Sequence, residues 1–290
     1  NQPVDPVTTG SIGNDGGTLR SDQGSAAFRK ALEILASGDQ AGAYAMAKGL
    51  PNDIERRTIQ WAAIYFGNGA IDHGSVLNFE ADAPEYASAA LYHTRLEQAL
   101  VKENASDDQV IRLLGGQMPN TIDAQIALAL AYKDNGQAAR AARIARSIWV
   151  DNFLDRASED KVRLKLGDLL TRRDHWDRIV HLLMNDRASG TERMLGLVSP
   201  AQKSLAQAGI AVARGSADAR RLFDRVDPSL RTNALFYFLA AQQARAEGRY
   251  STAVADLDTA KGPLPDAAQW WYERRTLLRQ LLMTSDVKLA

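Results

Sequence analysis

"LALAYKDNGQAARAARIARSIW" (residues 128–149) reads as two amphipathic helices joined at Gly136. Ala127, Leu130 and Ala131 fall at helical spacing before the glycine, and Ile144, Ile148 and Trp149 continue an apolar stripe after it. Glycine tolerates the left-handed backbone that closes a helix, so Gly136 caps the first arm. Ala129 lies seven residues before it, and Ala141 and Ala145 lie five and nine residues after it. Small side chains at those places let two helix backbones approach closely, so the stretch predicts a helical hairpin.

The same offsets recur elsewhere in the chain. Around Gly38 stand Ala31, Ala43 and Ala47; around Gly248 stand Ala241, Ala253 and Leu257. A degenerate fourth copy is Leu278, Ser285 and Ala290. Repeated hairpins that bury a face only by stacking on their neighbours define a repeat architecture. The expected fold is therefore all-α, a right-handed α-superhelix or solenoid of tetratricopeptide-like helical hairpins. Val, Ile and Thr do not cluster in alternation, and no pair of apolar runs flanks a hairpin turn signal, so no sheet is expected.

Residues 1–24 are rich in Gly, Ser, Thr, Asp and Pro and nearly free of apolar periodicity. That composition predicts a flexible N-terminal arm. From residue 25 to residue 290 the chain reads as one α-superhelical domain. Helices are expected near 25–37, with Phe28, Leu32 and Leu35 inward, and 40–49. The next begins at Asn52 or Asp53 and carries the stripe Ile54, Ile59, Ala62 or Ala63, and Phe66. Others follow near 74–81, 85–103, 106–114, 156–170, 174–185 and 190–197. Ser199 with Pro200 is a helix start, opening 200–214, then 217–225, 229–247 and a final helix at about 266–283. Nothing after it caps the C-terminal end as a polar final helix should, which leads to the expectation of further hairpins beyond Ala290.

Lys+Arg and Asp+Glu are equal at 35 each, but residues 1–135 are acidic in balance and 136–225 basic. Arg140, Arg143 and Arg146 share one helix side. Such a face serves either an anionic partner or simple solvation. There are no cysteines, which excludes disulfides and thiolate metal sites. No stretch reaches the roughly 18 apolar residues of a membrane span.

The four histidines are His73, His93, His175 and His181. The last two are six apart, which is not a helix-face metal pair, so neither a metal site nor a cofactor is expected. No Gly-x-Ser-x-Gly elbow and no phosphate-binding Gly-x-x-x-x-Gly-Lys loop occurs. Glu80 with Asp82 and Glu159 with Asp160 are expected at solvated helix ends. Of Trp270 and Trp271, about 100° apart on a helix, at most one faces a ligand. The candidate binding residues are Arg140, Arg143 and Trp271; no catalytic residue is assigned.

Four segments together resemble one family: "IERRTIQWAAIYFGNG" (54–69), "ALAYKDNGQAARAARIARSIWVDNF" (129–153), "MLGLVSPAQKSLAQAGIAV" (194–212) and "AQWWYERRTLLRQLL" (268–282). In this order they resemble the α-superhelical N-terminal region of soluble lytic murein transglycosylases, particularly the alphaproteobacterial branch. "LVSPAQ" and "WWYERR" are the more specific parts. The resemblance implies a curved stack of helices ahead of a lysozyme-like domain that cleaves peptidoglycan and leaves a 1,6-anhydro end. It also implies a periplasmic location. The family's glutamate lies in a Glu-Ser motif, and this sequence contains no Glu-Ser dipeptide. The expectation is a non-catalytic scaffold region acting on peptidoglycan through a longer enzyme, with a protein-binding solenoid as the alternative and no nucleic-acid partner.

Overall fold

The computed structural model describes residues 24–284 and Lys288. The arm expected at residues 1–24 lies, apart from Gly24, outside the described residues, as do Ser285 and Ala290 of the degenerate fourth hairpin. Among the described residues the structure is all-helical, with sixteen α-helices and four short 3-10 turns and no strand. The chain divides into two compact units, Asn1–Asn104 and Ala105–Ala290.

The first unit holds α1 (Ala26–Ala36), α2 (Gln40–Ala47), α3 (Asp53–Gly67), α4 (His73–Asp82) and α5 (Ala89–Lys102). Each starts where a polar side chain accepts from a free backbone amide: Ser25 from Phe28, Asp39 from Gly42, Asn52 from Ile54 and Glu55, Asp72 from Ser75, and Ser88 from Leu91. Such caps satisfy donors that the helix itself leaves orphaned. Ala31, Ala43, Ala47, Leu50 and Ile59 form a buried cluster, with Phe28, Ile34, Leu35 and Met46 packed against it.

Two inward assignments need correction here. Ile34, not Leu32, completes the inner face of α1, and Leu32 is exposed. On α3, Ile59, Ala62 and Ala63 are buried, whereas Ile54 is 72% and Phe66 58% exposed. Five residues separate Ile54 from Ile59, which turns it about 140° away on a helix. Phe66, in the last turn, rests on its own helix, 4.8 Å from the Tyr65 ring and 6.5 Å from Trp61.

The second unit runs through α6 (Asp107–Leu114), α7 (Ile122–Asp134), α8 (Ala138–Asp151), α9 (Arg156–Leu166), α10 (Arg172–Met184) and α11 (Ala188–Met194). It continues with α12 (Pro200–Ala213), α13 (Ala219–Asp224), α14 (Ala234–Ala246), α15 (Tyr250–Thr259) and α16 (Ala267–Met283). Ser199 opens α12 as a full capping box with Gln202, and Pro200 takes the first turn, where its missing N–H costs nothing.

The α7–α8 joint closes as a Schellman turn. Gly136, at φ 73°, donates to the Lys133 carbonyl at 3.1 Å, and Gln137 donates to Tyr132 at 2.7 Å. The same pair of bonds closes α1–α2 at Gly38 and α14–α15 at Gly248. At all three joints the residues seven before and five after the glycine are fully buried: Ala31 and Ala43, Ala129 and Ala141, Ala241 and Ala253. Two further joints share the bond pattern. One centres on Asp186, at φ 56°, and the other on Gly215, at φ 61°.

Within the second unit alternate helices pack in series: α8 on α10, α10 on α12, α12 on α14, and α14 on α16. Gly209 of α12 is wedged between Leu183 and Leu239; a methyl there would come within 2.8 Å and 2.9 Å of their side chains. That packing also brings Asn185, at the end of α10, against Asp266 (3.2 Å) and Gln269 (2.9 Å) at the start of α16.

Candidate functional site

The α6–α7–α8 corner gathers the larger of the two hollows that sequence candidates line. α6 starts at a Ser106–Gln109 capping box and stops at Gly115. The segment from Gly115 to Thr121 then turns the chain, pinned where Gln125 Nε2 donates to the Pro119 carbonyl at 2.7 Å. Thr121 caps α7, accepting from Ala124. From α7, Tyr132 reaches back, and its hydroxyl donates to the Gly115 carbonyl at 3.3 Å. Glycine is required at 115: a methyl there would meet the Ile111 carbonyl oxygen at 2.4 Å and the Tyr132 hydroxyl at 2.7 Å.

The resulting cleft measures ≈ 460 Å³, within the range of roughly 300 to 1,000 Å³ common for small-ligand sites, and is lined by Gly115, Gln117, Met118, Leu128, Tyr132, Arg140, Arg143 and Ile144. Its floor is apolar and its wall carries two cations. Met118 is 44% exposed at the mouth. Arg140 lies over the Tyr132 ring, 5.4 Å from its centroid, a geometry in which the ring face attracts the cation.

The three arginines that share a side of α8 separate into two kinds. Arg146 is compensated, bonded to Asp174 and, at 2.8 Å, to Asp177. Arg140 and Arg143 are exposed, and among the described residues neither has a carboxylate partner. Trp271, the third candidate, is 64% exposed on α16 while its neighbour Trp270 is buried. It lines a separate hollow of ≈ 310 Å³ with Leu257, Arg274, Arg275, Leu278 and Leu281. The alanines and glycines of the repeat, Ala31, Gly38, Ala43, Ala129, Gly136, Ala141, Ala241, Gly248 and Ala253, serve joints and helix crossings and line neither hollow.

The Glu159 assignment is corrected. It is 1% exposed, not a solvated helix end. Its carboxylate accepts from Arg178 Nη2 at 2.6 Å and from Arg193 Nε at 2.5 Å. Arg178 also donates to the carbonyls of Trp149 and Asn152 and lies over the Trp149 ring at 4.5 Å. Burial pulls the Arg178 guanidinium below its ordinary pKa, against the opposing pull of Glu159. One carboxylate thus joins two guanidinium groups in a packed structural network, in which Arg178 Nε is buried without a hydrogen-bond partner among the described residues. Position in the sequence places Glu159 in a first turn, where acids are usually solvated; the arginines that bury it come from α10 and α11.

His175 and His181 are half-buried, and desolvation lowers both imidazole pKa values. His181 stacks on Phe153 with centroids 4.8 Å apart, and His175 meets Trp149 edge-on. Among the described residues no group of three or more His, Cys, Asp or Glu side chains could hold a metal ion. No helix there is long and apolar enough to cross a membrane.

Fold and cleft together define, among the described residues, an all-α protein of repeated helical hairpins with a cationic, apolar-floored corner. Compared with known proteins, the chain matches no family model, no curated protein and no solved structure.

Proposed function

We propose that this chain is a non-catalytic scaffold whose hairpins stack into a right-handed superhelix and present a binding surface. The serial packing of α8, α10, α12, α14 and α16 supports this reading, because each hairpin of such a stack buries its apolar face only on the next one. The resemblance of four segments to soluble lytic murein transglycosylases supplies the setting. In that setting the chain is the superhelical region of a periplasmic enzyme acting on peptidoglycan, and it positions glycan strands or the catalytic domain. Retention of the purified chain on isolated sacculi is the expected result. Recovery no greater than for a synthetic peptide of residues 1–24 would reject the peptidoglycan part of the proposal.

A second reading, a solenoid that binds a protein segment, is favoured by one specific observation. The α6–α7–α8 cleft combines two uncompensated arginines with an apolar floor, which suits a peptide better than a sugar hydroxyl surface. Fold alone does not choose between these ligands.

A further inference from the structure

We infer that the α6–α7–α8 cleft is a recognition site for a protein segment carrying an acidic side chain beside an apolar one. The inference rests on the second reading of function, the protein-binding solenoid, and adds the site and the chemistry of the ligand.

Charge complementarity carries the argument. Arginine forks bind carboxylates through paired, charge-assisted hydrogen bonds. Along α8 the fold spends aspartates on only one of three neighbouring arginines: Arg146 receives Asp174 and Asp177. Arg143 and Arg140, about one and two turns nearer the hairpin joint, are left open at the cleft wall. Arg140 is held in place by the Tyr132 ring beneath it, and the Tyr132 hydroxyl is already engaged by Gly115. The cation is thus positioned before any ligand arrives, which lowers the ordering cost of binding.

Lining residues decide which anion fits. Met118, Leu128 and Ile144 form an apolar floor beside the two guanidinium groups. A nucleic-acid backbone or a free phosphate has no apolar group to place there, and a glycan offers mainly hydroxyls. An acidic residue next to leucine, isoleucine or methionine fills both halves. Met118, unbranched and exposed at the mouth, adapts to differing apolar side chains. A volume of ≈ 460 Å³ accommodates a short segment, not a folded surface.

The experiment is an NMR titration of the full chain carrying isotope-labelled methionine methyls and arginine side chains. The probe is acetyl-Leu-Glu-Leu-amide, and the control is acetyl-Leu-Gln-Leu-amide. Saturable shifts at Met118, Arg140 and Arg143 are expected, with the control binding roughly tenfold more weakly, the loss of one charge-assisted contact. The Arg140→Gln/Arg143→Gln double variant changes only exposed side chains, so its thermal unfolding should match that of the parent while the shifts at Met118 disappear. Absence of saturable shifts, equal response to both tripeptides, or retention of binding in the double variant overturns the site. Tighter saturation of the same residues by inorganic phosphate, by chitotetraose, or by a D-alanine-terminated stem peptide overturns the assignment to a protein segment. Sacculus binding is scored separately. A chain that fails on sacculi but responds to the acidic tripeptide loses its peptidoglycan setting and keeps this site, and the converse result does the opposite.

Discussion

At the Glu159 carboxylate, Arg178 from α10 and Arg193 from α11 converge, and neither Glu159 nor Arg178 keeps appreciable contact with water. Removing one partner of such a pair strands the other as a buried charge. Glu159→Gln is therefore expected to lower the stability of the second unit by about 3 to 5 kcal/mol, read from urea unfolding. Glu159→Leu combined with Arg178→Met removes both buried charges and should cost less than Glu159→Gln alone; a larger cost would show that the ion pair itself is strongly net favourable. The two half-buried histidines give a second residue-scale expectation. Desolvation lowers their pKa in the folded chain, so between the folded and unfolded pKa values the unfolded chain binds more protons. Their contribution is complete above the unfolded value of about 6.5 and is lost as pH falls below it. His181→Phe keeps the stack on Phe153 and should flatten the fall in stability between roughly pH 7 and pH 5. An unchanged slope in that variant would assign the pH response to other groups.

At the scale of the hairpin, one backbone device recurs at five joints, and the residue in its left-handed slot sets its cost. Gly136 at φ 73° occupies that slot without strain, whereas an L-residue there costs roughly 1 to 2 kcal/mol. Gly136→Ala should destabilise by about that amount. Asp186→Gly relieves the same conformation at φ 56° and should be neutral or stabilising by up to about 1 kcal/mol. The melting temperature should fall for Gly136→Ala and hold or rise for Asp186→Gly; a drop for Asp186→Gly would mean that the carboxylate itself supports the turn. This device also explains what was legible in advance. Hairpins at Gly38, Gly136 and Gly248 announce themselves by glycine with alanines at fixed offsets. The joint at Asp186 uses Ile179 and Thr191 at the same buried offsets, and at Gly215 the second small residue is Ala219, one place early. Backbone bonds and burial define the repeat, and several side chains satisfy them, so a pattern of glycine and alanine finds only part of it. The cleft was legible to a similar extent. Arg140 and Arg143 stand out on one helix side, but Gly115 and Met118, which make the hollow, arrive from the preceding turn through tertiary packing.

At the scale of the whole chain, Asn1–Asn104 and Ala105–Ala290 are each compact by contact, and each carries a core of its own. In the first it centres on Ala31, Ala43, Ala47, Leu50 and Ile59. In the second, Trp149, Leu166, Ile179, Leu183 and Phe238 are all fully or almost fully buried. The ion-paired cluster at Glu159, the four Schellman joints from Gly136 to Gly248 and the arginine cleft all belong to the second unit. A segment with its own buried core meets the main condition for folding alone. Residues 105–290 produced by themselves are expected to give a helical circular dichroism spectrum and a cooperative melt, and to keep the tripeptide response of Met118. Serial packing makes neighbouring hairpins the main source of one another's stability, so trimming α14 to α16 from that fragment should lower the melting temperature and loosen α10 and α12 first in hydrogen exchange. Equal protection of α10 and α12 with and without α14 to α16 would mean that the hairpins are stable independently, and the stacked scaffold would lose its physical basis.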